Sequence, residues 1–216
     1  MGRGNLLLRG LPVRVSEIFV SFQGEGREQG KRCTFLRLAG CNLACRWCDT
    51  PATQDPAGGE ERSADAILDE IRSPGVRRIC ITGGEPLLQA DELLPLLMDL
   101  AGEGYKIDIE TNGTVPFGPV LPWATICMDI KCPSSGEESD LSLLPLIRPA
   151  DTVKFVVADQ GDLDYAAGIL REHPIAGEVI ISPVHGADYH AVAQEIIGWT
   201  HDIRLQLQLH KQIGMR

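Results

Sequence analysis

Positive charge is scarce in this chain: 20 Lys and Arg stand against 30 Asp and Glu, a formal net charge of −10. A general nucleic-acid binder carries a basic footprint, so the charge argues against that class. The acidity itself favours solubility and names no partner. Long apolar runs are also missing. None approaches the ~18 residues of a membrane span, and Leu6-Leu7-Leu8 is stopped at once by Arg9, which argues against a secretory leader. Leu6 stands where a myristoylation signal wants Ser or Thr. Cysteine is limited to seven, an odd number that fits metal ligands and buried thiols in a reducing cytosol better than a disulfide framework. There is no internal repeat, no low-complexity tract and no linker long enough to divide domains. A single domain over residues 1–216 is the expectation.

What is present is alternation. Cys33 to Leu38 reads as a strand with Cys33, Phe35 and Arg37 on one face and Thr34, Leu36 and Leu38 on the other. After a loop from Asp55 to Glu61, Ser63 can cap a helix carrying Ala64, Ile67, Leu68 and Ile71. Arg77 to Thr82 is a second strand, and Asp91 can cap a helix bearing Leu93, Leu94, Leu97 and Leu100. Further strands are expected at Lys106 to Ile109, Thr125 to Asp129, Thr152 to Val157, Val179 to Ile181 and Ile203 to Leu207. Helices from Leu163 to Glu172 and from Tyr189 to Trp199 separate the last of these. Such a series implies parallel βαβ connections. The expected fold is α/β, an open or partial (β/α) barrel of mostly parallel strands, since the chain is slightly short for eight units.

The most informative spacing is Cys41-x3-Cys45-x2-Cys48, directly after the first strand. Three thiolates hold three irons of a [4Fe-4S] cluster and leave one iron open, whereas the usual complement is four cysteines. The triplet alone also fits a structural zinc site, with Cys33 as a fourth ligand. Cys80 and Cys127 lie in strands as apolar fillers, and no other pair is spaced for a second cluster. In such a domain the ligand-facing edge is where strands end. The triplet follows the first strand, Gly83-Gly84-Glu85-Pro86 the second, Glu110-Thr111-Asn112-Gly113 the third and Lys131-Cys132-Pro133-Ser134 the fourth. Four unusual segments thus converge on one rim.

With Trp47 beside the last cysteine and Gly83-Gly84-Glu85-Pro86 downstream, the chain resembles a radical S-adenosylmethionine (SAM) enzyme. Glu17 to Gly26, Phe35 to Asn42 and Trp47-Cys48-Asp49-Thr50 narrow the resemblance to the 7-carboxy-7-deazaguanine synthases, over nearly the whole chain. The resemblance implies ring contraction of 6-carboxy-5,6,7,8-tetrahydropterin to 7-carboxy-7-deazaguanine with loss of ammonia, in queuosine-type 7-deazapurine biosynthesis. It implies a [4Fe-4S] cluster, SAM and Mg²⁺ as cofactors, and an electron donor such as flavodoxin. A homodimer in the cytoplasm is also implied, with no nucleic-acid partner and no membrane.

Residue roles follow in the same way. Cys41, Cys45 and Cys48 hold the cluster. Trp47, Cys48, Asp49, Gly84, Lys131 and Ser134 match the SAM site, although Asp129-Ile130-Lys131 departs from the Ser-Pro-Lys expected there. Phe22, Gln23, Gly24, Arg37 and Thr82 match the pterin site, and Thr50 matches the Mg²⁺ ligand. Some of these can be argued from chemistry too. Gly83-Gly84 lets backbone come close without a Cβ. Arg37, a permanent charge in an apolar strand, needs a carboxylate, either the substrate's or an internal one such as Glu25. Trp47 could equally anchor a buried loop, Thr50 could simply open the turn before Pro51, and Glu110 reads as a solvated charge. His210 and Lys211 match the family tail, but Arg216 stands last where some members present a terminal proline to substrate, so a contact from its carboxylate is left open. Two other readings are open: a glycyl-radical-enzyme activase, which shares the triplet and the Gly-Gly-Glu-Pro turn, and a non-enzymatic zinc module.

Overall fold

A computed structural model describes residues 11–215. The positions read above for a leader and for the Arg216 carboxylate lie outside them. One nine-stranded sheet runs in the order β3-β1-β2-β4-β5-β6-β7-β8-β9. Its strands are β1 (Val13–Phe22), β2 (Arg32–Leu38), β3 (Glu60–Arg62), β4 (Arg78–Gly83), β5 (Lys106–Thr111), β6 (Thr125–Ile130), β7 (Thr152–Val157), β8 (Glu178–Pro183) and β9 (Ile203–Leu205). From β2 across to β9 every neighbouring pair is parallel. The order ends on β3 and β9, so the sheet is an open barrel.

Two stretches differ from the sequence expectation. The polar lead-in contains β1, ten residues long and antiparallel to β2. Its register shifts between Val15 and Glu17, which breaks the period of two that would have marked it. The loop from Asp55 to Glu61 ends in β3, three charged residues paired with Val13–Val15 as an edge strand.

The helices are α1 (Ala64–Arg72), α2 (Ala90–Gly102), α3 (Gln160–Glu172), α4 (Tyr189–Ile196) and α5 (Leu209–Ile213). Ser63 caps α1 as expected, its Oγ accepting from the Ala66 amide at 3.3 Å. Asp91 instead lies inside the first turn of α2, because the turn Pro86–Gln89 leads straight into that helix. Between β5 and β6, and between β6 and β7, short 3-10 turns replace α-helices.

A parallel sheet covered on both faces reads as continuous apolar runs. Here the strands alternate. Leu36, Leu38, Ile79, Ile81, Ile109, Ile126, Met128, Val153, Phe155 and Ile181 form one buried core with the helices. Each such side chain contributes roughly 1.5–3 kcal/mol by leaving water. On the concave face, Phe35, Arg37, Thr82, Glu110, Asp129, Lys131 and Lys154 line a cavity at the strand C-termini. The concave face holds the chemistry.

Candidate active site

The cysteine loop begins where β2 ends. Gly40 turns the chain at φ 100°, and its N–H donates to Thr53 O at 2.8 Å while Cys41 N–H donates to Gln54 O at 3.1 Å. The far side of the loop is tied by Ala44 N–H to Glu137 Oε1 at 2.8 Å and by Arg46 N–H to Ser135 O at 2.9 Å. All three cysteines line the cavity and are partly exposed, unlike the buried Cys33, Cys80, Cys127 and Cys132. Cys33 is buried with Cys80, Phe35 and Phe19 in a separate apolar cluster and does not line the cavity, so it is not a fourth ligand. Burial raises the Cys41 and Cys45 thiols, with Lys131 pulling both back. Iron would favour the thiolates outright. An isolated set of three cavity-facing thiols fits a cluster with one open iron.

The neighbouring turns are locked to this loop. A Cβ on Gly84 would run into Gly40 O and Thr53 O, and one on Gly83 into the Leu38 backbone. The glycine pair is therefore required first by backbone packing. Gly84 N–H donates to Leu38 O at 3.1 Å, and Glu85 N–H to Gly40 O at 2.8 Å. The buried Glu85 carboxylate accepts from Leu87 N–H at 3.0 Å, Thr111 Oγ1 at 2.9 Å and Asn112 N–H at 2.6 Å. Burial pushes its pKa up to about 6 against these bonds. Asn112 in turn places Nδ2 3.9 Å from Cys41 Sγ.

The cavity encloses about 490 Å³ and includes every expected site residue except Ser134. Ser134 sits behind Trp47, whose indole Nε1 donates to its hydroxyl at 3.0 Å. Lys131 Nζ lies 5.6 Å from the Trp47 ring centre and 3.3 Å from Asp129 Oδ2. Asp49 pairs with Lys211 at 3.1 Å and with His210 at 3.8 Å. Burial raises the Asp49 pKa, yet His210 and Lys211 outweigh it and hold the carboxyl well below its usual range. Thr50 lines the cavity with its hydroxyl 3.9 Å from Cys48 Sγ. It offers one oxygen, which suits Mg²⁺ only where waters and a ligand carboxylate complete the shell.

Arg37 has an internal partner, and that partner is Glu17 at 2.9 Å rather than Glu25. Glu25 instead meets Lys154, a 3 % exposed ammonium that also lies 3.1 Å from Asp129 Oδ1. Lys154 was legible by the argument used for Arg37, since it too is a charge in an apolar strand. Glu110 is not a solvated charge. It accepts from Thr82 Oγ1 at 2.9 Å and from Gln23 Nε2 at 3.1 Å. Burial raises its pKa, Lys154 opposes, and Glu25 and Asp129 add to the rise. The tail closes the mouth: Leu209 N–H donates to Gly24 O at 3.0 Å, and the His210 ring fills the space a Cβ on Gly24 would need.

An open α/β barrel whose rim carries three unpaired cavity thiols and a Gly-Gly-Glu-Pro turn defines the class, a radical SAM enzyme. The comparisons agree. Residues 36–121 match the Radical SAM superfamily model. The 7-carboxy-7-deazaguanine synthase of Methanospirillum hungatei is 46 % identical over 94 % of this chain and 86 % of its own length. That of Koribacter versatilis is 37 % identical over 93 % and 96 %. The crystal structure of QueE from Escherichia coli superposes with a TM-score of 0.80 at 26 % identity, covering 97 % of this chain and all of that one. The chain belongs to the 7-carboxy-7-deazaguanine synthase family. Among the described residues no helix is long and apolar enough to cross a membrane.

Proposed function

We propose that the cavity binds 6-carboxy-5,6,7,8-tetrahydropterin beside SAM and converts it to 7-carboxy-7-deazaguanine with loss of ammonia, in queuosine-type 7-deazapurine biosynthesis. One observation carries this reading. A single cavity runs from the three thiols to a wall of Gln23, Arg37, Thr82 and Glu110. A [4Fe-4S] cluster on Cys41, Cys45 and Cys48, with SAM at its open iron, would supply the radical that takes hydrogen from a carbon.

The chain's own residues do the rest. Trp47, Asp49, Gly84 and Lys131 hold the nucleotide, and Ser134 acts through the Trp47 indole. Phe22, 43 % exposed at the mouth, offers a face for the heterocycle. Gln23 and Gly24 meet its polar edge. Arg37 takes the substrate carboxylate with its guanidinium fork, and Glu17 fixes that fork from the side. Thr50 would offer its hydroxyl to a Mg²⁺ ion, which would supply a positive charge to orient a substrate carboxylate. Glu110, whose pKa burial raises, faces the cavity, and Thr82 Oγ1 donates to its carboxylate and holds it in place. The strap from Gln208 to Met215 narrows the mouth and excludes water. The family resemblance supports a flavodoxin-like electron donor and a cytoplasmic homodimer.

The test is anaerobic incubation with dithionite, SAM and the carboxylated tetrahydropterin, read by mass spectrometry. The expected result is 7-carboxy-7-deazaguanine and ammonia in equal amounts. Reductive cleavage of SAM with the pterin returned unchanged would overturn the reading.

A further inference from the structure

Among the described residues β9 pairs with β8 alone, and no ladder joins it to the β1–β2 side of the sheet. The gap is bridged by amide side chains. Gln206, 2 % exposed, accepts the Gly26 N–H at 2.7 Å through Oε1 and donates through Nε2 to Gly26 O at 2.9 Å. Both backbone groups of one residue are thus paired by one side chain, as a rung of a sheet would pair them. Gln29 Nε2 donates to Gly24 O at 2.8 Å and Leu207 O at 2.6 Å, and Gln208 Nε2 donates to Glu25 Oε1 at 2.7 Å.

The position of this clasp matters. The last rungs of the β1–β2 hairpin are Gln23 N–H to Lys31 O and Gly30 N–H to Gln23 O, both 2.8 Å. Beyond Gln23 the backbone leaves the ladder, and Gly24 and Glu25 form cavity wall. Gly26 is buried, takes φ 68° and turns the chain away. A buried backbone N–H and C=O without partners would be unfavourable. Gly26 O also accepts from Gln29 N–H at 3.3 Å, so the group that depends on the Gln206 amide is the Gly26 N–H.

We propose that Gln206 is a positioning residue for the pterin, acting through the Gly26 backbone to hold Gln23, Gly24 and Glu25 at the cavity wall. This rests on the reading above that Gln23 and Gly24 meet the substrate. Gln206 itself lies outside the cavity, so its effect is on binding and not on the cluster or SAM.

The test uses the reconstituted holoenzyme. Gln206→Met keeps volume and removes both bonds; Gln206→Glu keeps the acceptor for Gly26 N–H and loses the donor. Gln206→Met is expected to raise KM for the pterin roughly tenfold, the loss set by the stranded Gly26 N–H, since Gly26 O keeps the Gln29 N–H at 3.3 Å. Its kcat and its substrate-free SAM cleavage stay within about twofold of wild type, a split that marks lost binding. Gln206→Glu falls between, and decides the matter should the Met variant not fold. Amide exchange over residues 22–31 is faster in both variants. Unchanged KM, or equal loss of pterin turnover and substrate-free cleavage, would overturn the proposal. A Gln23→Ala variant with unchanged KM would instead sink the pterin reading, whatever the exchange at Gly26.

Discussion

Glu85 Oε2 accepts the backbone N–H of Asn112 at 2.6 Å, joining the turn after β4 to the turn after β5. The same carboxylate holds Leu87 N–H and Thr111 Oγ1. Glu85→Ala strands three donors in a buried site, with an expected loss of about 3 kcal/mol. Glu85→Gln also isolates the titration. The folded pKa of about 6 lies above the ordinary 4.5. A raised carboxyl contributes stability that is fully present below 4.5 and is lost as pH rises through 6, about 2 kcal/mol in all. Urea denaturation from pH 4 to 7 checks this. The wild-type minus Gln difference should fall across that window and then flatten.

The three cavity thiols give the sharpest prediction. Cys41→Ala, Cys45→Ala and Cys48→Ala each abolish cluster-dependent turnover and the brown colour of anaerobic material. Cys33→Ala and Cys80→Ala keep both, because those thiols belong to a separate apolar cluster. Iron content and visible absorbance separate the two groups. Full activity in any variant of the triplet would contradict the assignment.

These cysteines and the Gly-Gly-Glu-Pro turn were legible because each is a local pattern at a strand end. Arg37 was legible as a charge in an apolar strand, but its partner was not. Glu17 sits on β1, a strand hidden by the register shift between Val15 and Glu17. Glu25 and Lys154 are 129 residues apart, and no spacing rule connects them. Glu110 looked solvated because exposure at a strand end depends on which loops cover it. Here Gln23, in the loop after β1, lies against it.

Arg37 separates binding from cofactor chemistry. Arg37→Ala should raise KM for the pterin about tenfold or more while substrate-free SAM cleavage continues. Equal loss of both activities would remove Arg37 from the pterin site. Glu17→Gln leaves the guanidinium without its carboxylate brace and should give a smaller rise in KM.

Thr50 tests the metal. Thr50→Val keeps the shape of the side chain and removes its oxygen. Iron content should be unchanged, and the stimulation of turnover by added Mg²⁺ over a chelated control should disappear. Stimulation equal to wild type would place the ion on other oxygens.

Lys154 binds the cavity wall together. Burial opposes its charge, but Asp129 and Glu25 hold the ammonium protonated well above its usual range. Burial likewise opposes ionisation of Glu25, and Lys154 and Gln208 reverse it, leaving its pKa lowered from 4.5. Removing one member of a buried pair is worse than removing both, because the survivor keeps an uncompensated charge. Lys154→Met should therefore destabilise by about 3–5 kcal/mol. The double variant Lys154→Met, Glu25→Gln should recover part of that loss, since Asp129 retains Lys131 at 3.3 Å. The depressed carboxyl contributes stability above its unfolded pKa and loses it as pH falls through the folded value. The penalty of Lys154→Met should accordingly be large at pH 7 and shrink on acidification below the point where Glu25 ionises. Urea denaturation of the single and double variants at pH 7 and pH 4 checks both statements. A double variant no more stable than the single one would mean that the wall is held by packing rather than by this pair.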